Sequence, residues 1–135
     1  TPACSGIKIL DKREGKWDRT QGQDITTNWL STGLKFDAII ANNDEMAIGA
    51  INALKASKKW TPASLVAGID ATPDALASMK AGDLKVTVFQ NAAGQGSGAM
   101  DAALKLSKKQ PVERFVNVPF ELVTPANLAK YTGKN

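Results

Sequence analysis

Hydrophobic positions along the chain change period at several places, and the sharpest change lies in residues 36–50. Residues 38–41 are a short apolar run, as expected of a parallel strand buried on both faces, and the run stops at Asn42 and Asn43. From Asp44 the period becomes helical. Ala47, Ala50, Ile51 and Leu54 recur at i, i+3, i+4 and i+7, so one helix face packs on a sheet while Asn52, Lys55 and Ser57 are wetted. Asp44 is the expected N-cap, and with Glu45 it places negative charge at the positive end of the helix dipole. Asn43 is thereby left at the carboxyl end of a buried strand, where open α/β sheets bind their ligands.

The same alternation runs through the rest of the chain. Residues 7–10 read as a strand, followed by a polar loop, Trp17, and a helix over 18–31 whose apolar side is Ile25, Trp29 and Leu30, ended by Gly33. Residues 65–69 form the next apolar strand and stop at Asp70. Thr72 is a cap and Pro73 a first-turn residue for a helix running to about Lys80, with Gly82 after it. Residues 84–89 are a fourth strand ending at Gln90, and 91–109 the longest helix. Gly94, Gly96 and Gly98 in its first turns cost about 1 kcal/mol each in helix propensity, which points to close backbone packing or a bend. A fifth strand is expected over 115–123, at an edge or with a bulge because of Pro119, then a short helix over 126–131 and a frayed tail over 132–135.

Strand and helix in strict alternation predict an α/β fold: a doubly wound parallel sheet with helices on both faces. Right-handed crossovers bring the strand carboxyl ends to one rim. Trp17, Asn43, Asp70 and Gln90 each follow a predicted strand, so all four converge there.

Composition narrows what such a rim does. At 135 residues and 43% hydrophobic content the chain suits one domain with a real core. Histidine is absent, which removes the commonest general base and metal ligand and weighs against most hydrolases. Cys4 is the single cysteine, so no internal disulfide, redox pair or thiolate zinc site forms within the chain. The net charge of +4 is scattered over helix ends and exposed faces, and no helix-turn-helix, zinc pattern or basic-aromatic platform marks a nucleic-acid partner. No stretch reaches the length of a membrane span, and the start lacks the pattern of a signal peptide, so the segment is soluble or its targeting sequence is missing. The glycine run 94–98 fits neither a dinucleotide fingerprint nor a P-loop. Asp44, Glu45, Asp70 and Asp74 would be the candidates for a magnesium site, but three of them sit in helix first turns, where capping accounts for them.

An indole, two amides and a carboxylate are a poor set for catalysis and a good one for a neutral polyol. The carboxylate accepts hydroxyl hydrogen bonds, the amides donate and accept, and the indole stacks on the C–H face of a sugar ring. Each residue has a plainer role open to it: Asn43 tolerating an unusual backbone, Asp70 forming an Asx-turn, Gln90 satisfying loop amides, Trp17 filling core. Trp29 on a helix face and Trp60 beside Pro62 have no strand end near them and are assigned to packing.

The segments Asn42-Asn43-Asp44-Glu45-Met46-Ala47-Ile48-Gly49-Ala50, Val66-Ala67-Gly68-Ile69-Asp70-Ala71-Thr72-Pro73-Asp74 and Val86-Thr87-Val88-Phe89-Gln90 resemble, in order and spacing, the C-terminal half of ribose-type periplasmic sugar-binding proteins of ABC importers, the type I periplasmic-binding-protein fold. Trp17-Asp18-Arg19 matches the place of that family's stacking aromatic, and residues 119–127 are most similar to binders of inositol and related polyols. The resemblance implies a noncatalytic periplasmic protein without a cofactor. It would bind a monosaccharide or cyclic polyol, ribose- or myo-inositol-like, through Trp17, Asn43, Asp70 and Gln90 and deliver it to a membrane permease. It also implies that residues 1–90 belong to the C-terminal lobe, that 91–122 cross a hinge to complete a first lobe absent from this chain, and that 123–135 return. The isolated chain would then dimerise or swap elements to cover Met100, Ala103 and Leu104. The effector-binding core of a lactose-repressor-type regulator shares the fold and is the alternative, decided by a DNA-binding headpiece upstream. A magnesium-dependent enzyme is the third reading.

Overall fold

The computed structural model describes residues 5–134. Cys4 and the last residue of the 132–135 tail, Asn135, lie outside the described residues. The elements in order are α1 (Arg19–Ser31), β1 (Ala38–Ile40), α2 (Asp44–Ala56), β2 (Leu65–Ala67), α3 (Pro73–Lys80), β3 (Thr87–Phe89), α4 (Ala92–Ser107), β4 (Glu121–Val123) and a 3-10 turn at Leu128–Lys130.

Strands β1 and β2 pair in parallel, with Ile39 opposite Val66. Parallel bridges Ala67↔Val86 and Asp70↔Phe89 carry the ladder to β3, and β4 adds antiparallel to β3 with Val88 opposite Leu122. The spatial order is thus β1-β2-β3-β4. Inward side chains Ile39, Val66 and Phe89 meet the apolar stripes of α2 (Ala47, Ala50, Ile51, Leu54) and α3 (Ala75, Met79), and Tyr131 closes on Phe89 with ring centroids 5.4 Å apart. Helix α1 lies against α2 through small residues. A Cβ on Gly22 would fall 2.6 Å from the Met46 carbonyl oxygen, and one on Gly49 would fall on the Arg19 carbonyl, so only glycine lets these two backbones approach. The face of α1 that is fully buried is therefore Gly22 and Thr26, with Ile25, Trp29 and Leu30 half-buried beside it.

Several expectations need correction. Asp44 is the first residue of α2 and not its cap; Asn43 takes the cap position, with φ −149°, ψ 168° and its side chain accepting the Met46 N–H. Residues 7–10 form no strand: Ile7 and Ile9 are 71% and 78% exposed, and among the described residues no ladder partner lies beside them, which a strand needs. The run 38–41 is not buried on both faces, because β1 is an edge and Ile40 points away from α2. The last strand is short and antiparallel, covering Glu121–Val123 only, so Pro119 falls outside it. The expected helix over 126–131 is a 3-10 turn. Of the glycines in α4, a Cβ on Gly98 would fall 3.2 Å from Val116, one on Gly94 would meet the Asn91 cap, and one on Gly96 would stand in open space.

Candidate functional site

The first turn of α2 is the centre of the rim. Asn43 leaves β1 in extended backbone and turns its side chain back, its Oδ1 accepting the Met46 N–H at 3.0 Å. Its Nδ2 donates to the Trp17 carbonyl at 3.3 Å, which leaves the second amide hydrogen for another acceptor. Trp17 sits in a tight turn in which Lys16 and Trp17 have φ of 48° and 61°, a left-handed conformation that non-glycine residues enter at a cost. Trp17 as a whole is 64% exposed.

Asp44, one residue on, has no exposed surface. Its carboxylate accepts the Thr72 N–H at 2.9 Å and the Thr87 hydroxyl at 2.7 Å, and the same Thr87 oxygen accepts the Ala71 N–H at 3.1 Å. Burial pushes this carboxyl up to about 6, with the nearby Asp70 charge adding to the effect and the bonds from Thr87 and Thr72 opposing it.

Asp70 follows β2 with φ 123°, and Ala71 has φ 55°, a second left-handed turn at the rim. The half-buried Asp70 carboxylate accepts Gln90 Nε2 at 2.6 Å and the backbone N–H of Asp44. Burial raises its pKa, and those two hydrogen bonds pull it down. A network outside these contacts ties the helix starts together: Arg19 holds Glu45 at 2.8 and 2.9 Å and Asp74 at 2.7 Å, joining the first turns of α1, α2 and α3. Each of these half-exposed ion pairs contributes about 0–1 kcal/mol.

The four rim residues named from the sequence therefore form two directly bonded pairs, Asp70 with Gln90 and Asn43 with Trp17, and both pairs are joined through the α2 start. The four carboxylates considered for magnesium are divided among other partners, and no group of three metal-ligating side chains occurs among the described residues. Trp29 and Trp60 pack against the core; the Trp29 indole donates to Asp11 at 2.7 Å, which holds the Asp11 carboxyl below its usual range. Sequence reasoning missed Thr87. The one available signal was alternation, which puts Thr87 on the same inward face as Phe89 and so demands a buried partner for its hydroxyl. Clefts of about 370 and 580 Å³ lie elsewhere, between α4 and residues 111–118, lined by Gly98, Ala102 and Val116 among others.

A family model described as periplasmic binding protein domain matches residues 2–111. A Rhizobium meliloti protein assigned to rhizopine binding is 61% identical over the whole chain, which spans 44% of its length. The ribose import binding protein of Haemophilus influenzae is 34% identical over 87% of the chain and 39% of its own length. Among solved structures, an ABC transporter solute-binding protein from Bacillus halodurans with bound myo-inositol is 46% identical with a TM-score of 0.89, covering 97% of this chain and 45% of that one. The chain thus spans less than half the length of these relatives, and all three are named as binding proteins.

Proposed function

Because the chain belongs to the periplasmic binding protein domain family, we propose that it forms most of one lobe of a two-lobed, noncatalytic solute-binding protein of an ABC importer. The ligand is a monosaccharide or cyclic polyol, ribose- or myo-inositol-like, held between the lobes and presented outside the cytoplasm, in the periplasm, to the permease. Residues 1–90 serve the C-terminal lobe, 91–122 reach into the other, and 123–135 return. This division is supported by α4, which has no buried residue and leaves Met100 and Leu104 63% and 49% exposed. Without that other lobe, this chain pairs with a second copy or exchanges elements with it.

The observation that carries the reading is the Asp70 carboxylate, held at the rim between the Gln90 amide and the Asp44 N–H, with an exposed indole on the neighbouring turn. A carboxylate so oriented accepts two ligand hydroxyls, and the indole covers the apolar face of a ring. Ligand bridging both lobes favours the closed arrangement by its difference in affinity for the two states.

The test is a tryptophan-fluorescence titration of the two-lobed protein carrying this chain with ribose, galactose, glucose and myo-inositol. Saturable binding of one of them, lost in Asp70→Ala with the fold retained, is the expected result. Trp17→Ala weakens binding and Trp17→Phe restores much of it. Affinity unchanged by Asp70→Ala would remove the proposed site.

A further inference from the structure

Asp44 is spent on neither capping nor an ion pair, yet it is a carboxylate with no exposed surface at the centre of the rim. Burying it costs free energy that a neutral residue in the core would avoid. Its two acceptors are committed to one place. Oδ2 takes the Thr72 N–H, and Oδ1 takes the Thr87 hydroxyl, whose oxygen in turn takes the Ala71 N–H. These are the two amides that immediately follow Asp70. The segment they belong to is strained, with φ of 123° at Asp70 and 55° at Ala71, and conformations of this kind persist only where surrounding contacts hold them. The clamp is also reciprocal, since the backbone N–H of Asp44 donates to the Asp70 carboxylate. Gly68 completes the fit: a Cβ there would collide with Asp44 Oδ1, so the carboxylate occupies space that any other residue at 68 would fill.

We infer that Asp44, acting with Thr87, is a positioning residue that holds the left-handed Asp70-Ala71 turn and so aims the Asp70 carboxylate at the ligand. This rests on the reading of Asp70 as a ligand-binding residue. Asp44 itself touches no ligand. Its effect on affinity passes through Asp70, which separates it from a residue that merely stabilises the lobe.

The experiment is a double-mutant cycle in the two-lobed protein carrying this chain, with whichever of ribose, galactose, glucose and myo-inositol the unmodified protein binds as the probe. Asp44→Asn keeps the shape and the backbone N–H but replaces one acceptor oxygen by a donor. It is expected to weaken binding roughly tenfold with Asp70 present and less than about twofold in an Asp70→Asn background. Equal losses in both backgrounds, or no loss in either, overturn the inference. An Asp70→Asn protein with undiminished affinity overturns the binding-site reading and this inference with it, as does the absence of any saturable response to ribose, galactose, glucose and myo-inositol in the unmodified protein. A loss at Asp70→Asn without one at Asp44→Asn overturns this inference alone. Should Asp44→Asn fail to fold, Thr87→Val must show the same coupling to Asp70, with Thr87→Ser restoring affinity; additive behaviour there is equally fatal. Amide hydrogen exchange gives a second readout without ligand: Ala71 and Thr72 exchange faster in Asp44→Asn while core amides such as that of Leu54 are unchanged.

Discussion

Helices α2 and α4 start in the same way and differ in everything that follows. Each comes after a strand and each is capped by an asparagine, Asn43 accepting the Met46 N–H at 3.0 Å and Asn91 the Gly94 N–H at 2.8 Å. Yet eight residues of α2 are buried and none of α4, where Met100, Leu104 and Leu106 keep about half or more of their surface in solvent. Caps and periodicity decide where a helix begins and which face is apolar. Burial depends on what lies across from that face. In α2 the opposite surfaces are α1, β1, β2 and α3, brought close by Gly22 and Gly49; in α4 the glycines meet almost nothing.

The largest loss of stability comes from filling the α1–α2 crossing. A Cβ at Gly49 lands on the Arg19 carbonyl and 2.8 Å from the Gln23 nitrogen, both backbone atoms that cannot swing aside. Gly49→Ala gains about 1 kcal/mol of helix propensity but forces the helices apart, for a net loss near 3 kcal/mol in urea denaturation. A stabilised Gly49→Ala protein would mean that the crossing is looser than the structure has it.

A smaller effect separates the two helix starts by their charges, since α2 buries a carboxylate in its first turn and α4 has no acidic residue there. The Asp44 carboxyl is raised from its ordinary 3.8 to about 6, chiefly by burial. The folded protein therefore holds this proton more tightly than the unfolded chain. The stability that follows is fully present below about 3.8 and is lost as the pH rises through about 6. The loss between those limits is on the order of 2 kcal/mol. Melting curves from pH 4 to 7 should show Asp44→Asn with a shallower decline than the unmodified chain. Parallel pH profiles for the two would mean that Asp44 is ionised freely in the fold.

Much of this was legible in the residues and some was not, for identifiable reasons. The strand-to-helix changes at residues 36–50 and 65–80 were readable because period and caps are local, and the convergence of Asn43, Asp70 and Gln90 on one rim followed from the handedness of crossovers; Trp17 reaches Asn43 without the strand expected before it. The cap of α2 was misplaced by one residue because Asn and Asp are both strong cap formers. The choice between them is made by Thr72 and Thr87, far along the chain, which claim the Asp44 carboxylate. Residues 7–10 have a strand's apolar pattern, but a pattern does not supply the neighbouring strand. The antiparallel direction of β4 leaves no mark on a period of two. Nor do left-handed turns at Lys16, Trp17, Asp70 and Ala71 announce themselves, since none of the four is glycine.

The mildest change falls in α4. Gly96 lies inside α4, and a Cβ there meets no atom within 4 Å, so Gly96→Ala should stabilise this chain by about 0.5–1 kcal/mol through helix propensity alone. The sign is opposite to that of Gly49→Ala, although both replace a helical glycine by alanine. If α4 packs into a second lobe, as its uncovered apolar face suggests, the gain should shrink or reverse in the two-lobed protein, because the added methyl then competes with a packed neighbour. The two proteins, compared by urea denaturation, give a difference of sign or of size. An equal gain in both would leave Gly96 on a solvent-facing side of α4 whether or not the other lobe is present, and would shift the contact to the side that carries Met100 and Leu104.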